Sequence, residues 1–285
     1  MSSERPQASD NGAASAAGSQ TRKSRLHSPR LFAYLLDADD ELAAAFDVRM
    51  RFAARQLTTA RVLEAEPGSA ELGPWLAHVQ SGPGLLILDG LLSADTRIAD
   101  RTVTELLGYG DLLQPPHGQS DELLELATCW RVLRPTRFAL LDGDFAQRAR
   151  PWPQIARALL RRAERRADDL SVLRAISCQP RLELRLVLFL WHVAGRWGRV
   201  EPGGLRLSLP LTHRLLGQLV SAERPSVSHA LARLARAGIV TGSADDLHLH
   251  GNLEAHVTAL GEHAAAGARH SSRRRSGRQG DPMHA

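Results

Sequence analysis

Lysine is almost missing from this chain of 285 residues. Lys23 is the only one, so nearly all of the 36 basic residues are arginine. They outnumber 31 acidic residues, for a formal net charge of +5. Arginine forks suit phosphate and guanine, which admits a nucleic-acid partner. A coding bias toward arginine would give the same excess, so position along the chain has to decide. Cysteine is scarce too. Cys129 and Cys178 cannot build a disulfide framework, a four-thiolate zinc site or an iron–sulfur cluster. Buried free thiols in a reducing cytoplasm are the expectation. The N-terminus lacks an apolar leader run, which points to a cytoplasmic protein. The longest apolar stretch, Leu182 to Ala194, holds Glu183 and Arg185 and is too short to span a bilayer. No membrane partner is expected. The patterns G-x-S-x-G, H-E-x-x-H and the phosphate loop are all missing, so neither an enzyme nor a cofactor is expected.

What is there divides into five stretches. Residues 1–28 are rich in Ser, Ala, Gly and charge and cannot offset their ordering entropy, so a disordered tail is expected. Residues 29–150 begin with a helical pattern from Leu31 to Leu63 and turn to strands at Gly84. Leu85-Leu86-Ile87-Leu88 is an apolar run closed by a turn at Asp89-Gly90. Turns at Ala99-Asp100-Arg101 and Gly108 to Asp111 bracket the stretch Thr102 to Leu107, and further strands fit Cys129 to Leu133 and Phe138 to Leu141. Short strands this close together read as a sandwich or β-roll. Residues 151–179 read as one long helix opened by Pro151-Trp152-Pro153. Its stripe of Ile155, Leu159, Ala163, Ala167, Leu170, Leu173 and Ile176 has the spacing of a coiled-coil seam. The β-roll and a second copy of the helix could share that stripe. Residues 256–285, including Arg273-Arg274-Arg275, read as a mostly disordered tail.

Residues 180–255 are the informative part. Leu182 to Ala194 is an amphipathic helix, and Leu205 to Pro210 reads as a strand. Helices over Leu211 to Val220 and Pro225 to Ala237 are separated by Ser221 to Arg224, a helix-turn-helix connection in length. Ile239-Val240-Thr241 and Leu247 to His250 form a hairpin, the wing. Leu215, Leu216, Leu219 and Val220 give the first helix a core face, and Val227, Ala230, Leu231 and Leu234 do so for the second. The second helix keeps Arg224, Ser228, His229 and Arg233 for its other face. A recognition helix needs this arrangement, with small polar or basic groups toward base edges.

The stretch Leu209-Pro210-Leu211-Thr212-His213-Arg214-Leu215-Leu216-Gly217-Gln218-Leu219-Val220 and the stretch Arg224-Pro225-Ser226-Val227-Ser228-His229-Ala230-Leu231-Ala232-Arg233-Leu234 together resemble the helix-turn-helix signature of the Crp/Fnr family. The resemblance spans roughly residues 30–255. It implies an α+β architecture: an N-terminal double-stranded β-helix (a jelly-roll-like β-roll resembling cyclic-nucleotide-binding domains), a long dimerisation helix, and a C-terminal winged helix-turn-helix. It also implies a homodimeric transcriptional regulator on double-stranded DNA, with RNA polymerase as a further candidate partner; the alternative is a signal-sensing scaffold or regulator that acts through protein–protein contacts without specific DNA binding. By position, Arg224 would contact a guanine, and Ser228 and His229 would face neighbouring bases. Thr212 and Ser226 would hold phosphates, with Arg233 a weaker phosphate candidate. The plainer alternatives are a solvated turn residue for Arg224 and a merely packed imidazole for His229.

Two departures stand out. Pro225 replaces the family's base-reading glutamate, so the operator should differ. Glu223 stands where a Ser cap is common. In the sensor half, the family's ribose-binding Gly-Glu pair falls on about Gln114-Pro115. Its phosphate arginine falls near the acidic Ser120-Asp121-Glu122, the wrong sign for a phosphate. Cyclic AMP is therefore disfavoured and the small-molecule effector is left open. No motif argues for haem. His248 and His250 share a strand face without a visible third metal ligand, and Asp142-Gly143-Asp144 reads as a helix start capped by Asp144.

Overall fold

A computed structural model describes residues 23–114 and 127–261. Strand β1 (Leu26–Tyr34) leads to short helices α1 (Leu35–Ala38), α2 (Asp40–Ala44) and α3 (Val48–Leu57). Strands β2 (Thr59–Ala65) and β3 (Gly68–Ala70), helix α4 (Gly73–His78), and strands β4 (Gly84–Ile98), β5 (Arg101–Gly108), β6 (Leu112–Leu113) and β7 (Ala127–Leu141) follow. All seven strands join one antiparallel sheet with the path β1-β2-β7-β4-β5, while β3 pairs with β7 and β6 with β4. This is the β-roll.

The run Leu85 to Leu88 is continuously apolar because both of its faces are covered. Leu85 and Ile87 point into one core with Phe138 and Leu140. Leu86 and Leu88 point into another with Leu36, Leu42 and Ile155. Asp89-Gly90 is not a turn. It is an irregularity within β4, whose pairing with β7 shifts between Ile87 and Leu92. Gly90 has φ 105, and a Cβ there would lie 2.5 Å from the Pro135 carbonyl oxygen, so only glycine fits. For the same reason the two strands expected around Cys129 and Phe138 are one strand, β7. The helical reading of Leu31 to Leu63 also needs correction. Its first and last parts are β1 and β2, and Leu31 and Phe32 are exposed on an edge strand.

Helix α5 (Gly143–Ala149) is capped by Asp142, whose carboxylate accepts from the Phe145 N–H at 2.9 Å. The expected cap, Asp144, lies inside the first turn. Helix α6 (Pro153–Ser177) is the long helix, with a proline at its start. Its seam is divided. Ile155, Ala158, Leu159 and Arg162 are buried against the roll. Ala167 and Leu170 stand exposed, as do Leu160 and Val172. Asp39 and Arg162 form a buried pair at 2.6 Å, with side chains 0% and 1% exposed. Burial alone would disfavour the Arg162 cation, but Asp39 and Glu41 outweigh it and raise its pKa.

Helix α7 (Leu182–Trp197) opens the C-terminal domain. After it come β8 (Arg199–Glu201), β9 (Gly204–Leu207), α8 (His213–Leu219), α9 (Arg224–Arg236), β10 (Val240–Ser243) and β11 (Asp246–His250). Strands β10, β11, β9 and β8 form a four-stranded antiparallel sheet. A last helix, α10, covers 253–261.

β1 starts at Leu26, inside the expected N-terminal tail, and α10 runs past residue 256. Arg273 to Arg275 and the acidic segment around Ser120 lie outside the described residues. Both cysteines are exposed, not buried. Among the described residues, no helix is long and apolar enough to cross a membrane.

Candidate nucleic-acid interface

The C-terminal domain is built on one apolar cluster. Leu186, Val187, Phe189 and Leu190 of α7 meet Leu215, Leu216 and Leu219 of α8, and Val227, Ala230 and Leu234 of α9. Leu247 and Leu249 of the wing close it. Leu91 and Leu106 of the roll belong to the same cluster. Polar contacts reinforce that junction. Arg196 donates to the Tyr109 carbonyl at 2.8 Å and pairs with Asp111 at 2.8 Å. Arg134 donates to the Ser208 carbonyl.

The turn between α8 and α9 is tight. Ser221 takes a left-handed φ of 53, and the Ala222 N–H donates to the Gly217 carbonyl at 2.8 Å. A Cβ on Gly217 would lie 2.5 Å from the Ala222 oxygen, so glycine is required there. Arg185 of α7 donates to the Val220 carbonyl at 2.8 Å and the Ser221 carbonyl at 3.2 Å. It thereby satisfies acceptors at the end of α8.

The expected contact residues take three different situations. Arg224, Pro225, Ser226 and His229 are exposed at the N-terminal end of α9. Thr212 caps α8 by accepting from the Leu215 N–H at 3.2 Å. Its hydroxyl proton therefore stays free to donate. Ser228 and Arg233 are already engaged. The Ser228 hydroxyl lies 2.8 Å from His213 Nδ1 and 3.1 Å from the Arg224 carbonyl oxygen. Arg233 is held by Glu183 of α7, with its Nε at 2.5 Å. Burial would raise the Glu183 pKa, but its own backbone N–H and Arg233 outweigh that and lower it. Arg233 thus serves first as a strut between α7 and α9.

Glu223 occupies the N-cap of α9 without making a side-chain cap bond. The first N–H groups of this 13-residue helix are left for an outside acceptor, and the helix dipole favours an anion there. Sequence reasoning missed Glu183, Arg185 and His213 as organising residues, because their partners lie on other helices. It also missed Arg236, exposed two turns beyond His229 on the outward side of α9. Its spacing from His229 was a usable signal. His248 and His250 stack at 6.4 Å, and His248 sits 3.4 Å from Glu201. Among the described residues no cluster suited to a metal ion occurs.

An exposed basic helix start above a tight turn, flanked by a wing, defines a winged helix-turn-helix. Residues 184–250 match the Crp-like helix-turn-helix domain family. Similar solved structures include CprK complexed with OCPA, at 14% identity and a TM-score of 0.51, covering 73% of this chain and 92% of that one. A cyclic nucleotide-binding domain containing protein from Listeria monocytogenes is 13% identical, with a TM-score of 0.50 over 57% of this chain and 78% of that one. A CRP-family transcriptional regulator from Thermus thermophilus is 18% identical, with a TM-score of 0.48 over 64% of this chain and 89% of that one. No curated protein matches the chain. Residues 184–250 thus carry a Crp-like helix-turn-helix domain, and the chain shares its fold with these solved structures.

Proposed function

We propose that the protein binds a near-palindromic operator as a homodimer, with α9 of each subunit in successive major grooves roughly 34 Å apart. The observation that carries this reading is the exposed Arg224–His229 end of α9, set on a fully buried opposite face. Arg224 reads a guanine and His229 a neighbouring base. Thr212 and Ser226 bind phosphates through free hydroxyl protons, and the uncapped N–H groups of α9 add to them. Ser228 lies beside the bases but commits its hydroxyl within the domain, and Arg233 makes a secondary phosphate contact at most. The exposed apolar side chains Leu160, Leu170 and Val172 of α6 support pairing with a second copy.

The roll receives a signal and passes it to the DNA-binding domain. The seam through Leu91, Leu106, Asp111 and Arg196 supports a direct route beside α6. Opposite the turn at Gly108 to Asp111, a cleft of about 450 Å³ lies between α6, α7 and the roll. Its arginines are matched by carboxylates: Arg165 by Glu41, Arg166 by Glu105 and Arg196 by Asp111. The acidic sequence around Asp121 and Glu122 disfavours cyclic AMP as the effector. RNA polymerase is a partner only if the protein activates.

Selection of bound sequences from a random duplex pool by the purified protein tests the reading. Two inverted half-sites about 10–10.5 base pairs apart, centre to centre, are expected. Recovery of a single half-site, or of no common sequence, contradicts the homodimer arrangement.

A further inference from the structure

We infer that His213 makes DNA binding by this protein proton-dependent, by contacting a backbone phosphate only in its protonated form. The inference rests on the DNA-binding reading above.

His213 follows the cap Thr212 at the start of α8, on the side where that helix meets α9. Its Nδ1 lies 2.8 Å from the Ser228 hydroxyl, which lies 3.1 Å from the Arg224 carbonyl oxygen. A hydroxyl has one proton and a carbonyl has none. Both contacts are satisfied together only when Ser228 donates to the carbonyl and accepts from Nδ1–H. The relay therefore fixes the neutral tautomer with its proton on Nδ1. Nε2 is left as a bare lone pair, with no hydrogen-bond partner among the described residues. A lone pair cannot bind a phosphate oxygen. A second proton turns Nε2 into a charged donor.

Among the described residues, the surroundings supply no carboxylate to hold that charge in the absence of DNA. On β5, packed against α8, Glu105 is committed to Arg166, and Arg101 is its other charged residue. On the wing, Asp246 is committed to Arg206, and on α7 Glu183 is held by Arg233. Neither Asp245 nor Glu223 forms an ion pair with the imidazole. Arg214 beside it and Arg224 and His229 on α9 are basic. The counter-charge comes from the phosphate, so proton uptake and DNA binding favour each other.

The test is duplex DNA affinity at pH 6 and pH 8, at fixed salt, for the full chain and four variants whose unfolding curves confirm folding. The wild type should bind about tenfold more weakly at pH 8, well within the limit of about tenfold per pH unit for each linked proton, one per subunit. His213→Gln should remove most of that dependence, and His229→Gln should retain it. His213→Arg should bind at pH 8 as the wild type binds at pH 6. Ser228→Ala releases the tautomer, so that neutral His213 can carry its proton on Nε2, and should gain affinity at pH 8. A purely structural histidine would not give that gain. An unchanged pH dependence in His213→Gln, or no gain at pH 8 in Ser228→Ala, overturns the inference while leaving the DNA-binding reading standing. If no variant and no pH gives salt-dependent DNA binding, both fall together.

Discussion

The pair between Asp39 and Arg162 fixes the long helix to the roll, and its removal should be costly. Both side chains are essentially inaccessible, and the contact is bidentate, at 2.6 and 2.7 Å. Asp39 also caps α2 by accepting from the Leu42 N–H at 3.0 Å. Asp39→Asn separates the two roles. Asparagine is as good a cap, so its cost reports the stranded Arg162 charge. Breaking a buried pair by removing one partner costs about 3–5 kcal/mol. Glu41 stays 3.1 Å from Arg162, which argues for the lower end. Asp39→Ala should lose about 1 kcal/mol more, for the cap. The double variant Asp39→Asn with Arg162→Met removes both charges and should cost less than either single change. Urea unfolding followed by a probe in the roll measures all four. A cost below about 1 kcal/mol for Asp39→Asn, or simple additivity in the double variant, refutes the reasoning.

Gly217→Ala should destabilise the C-terminal domain by about 1–3 kcal/mol and weaken DNA binding, because the new methyl meets the Ala222 carbonyl; thermal unfolding and anisotropy titrations check it. Arg196→Met should cost about 1–2 kcal/mol and raise hydrogen exchange at the Gly108 to Asp111 turn, where Arg196 is held. The carboxyl of Asp246 is depressed to about 2, first by its bond from Arg206 and then by Ser208. A depressed carboxyl stabilises above its ordinary value and loses that effect only as pH falls through about 2. Carbon-detected titration should therefore find its midpoint near 2 in the wild type and back in the ordinary carboxylate range in Arg206→Met.

The C-terminal domain was legible because its chemistry is local. Helix periodicity, the short connection at Ser221 and the alternation at Leu247 to His250 each lie within one element. The roll was less legible. A strand covered on both faces, such as Leu85 to Leu88, does not alternate, and a glycine irregularity at Gly90 looks like a turn in sequence. The stretch from Leu31 to Leu63 misled because three short helices between two strands reproduce a helical period. The roles of Ser228 and Arg233 were obscured by partners on other helices, His213 and Glu183, which no single-helix pattern reveals. Residue type alone favours burial of a free cysteine, whereas Cys129 and Cys178 are exposed.

The central claim is that Arg224 reads a base from the start of α9. The most direct test is a double-mutant cycle. Arg224→Ala and the wild type are titrated against the selected operator and against every single base-pair change within a half-site. A loss of about 1–3 kcal/mol at one base pair per half-site is expected, with discrimination elsewhere unchanged. A uniform loss across all positions would make Arg224 a phosphate contact, and no loss at all would place the recognition surface elsewhere on the domain.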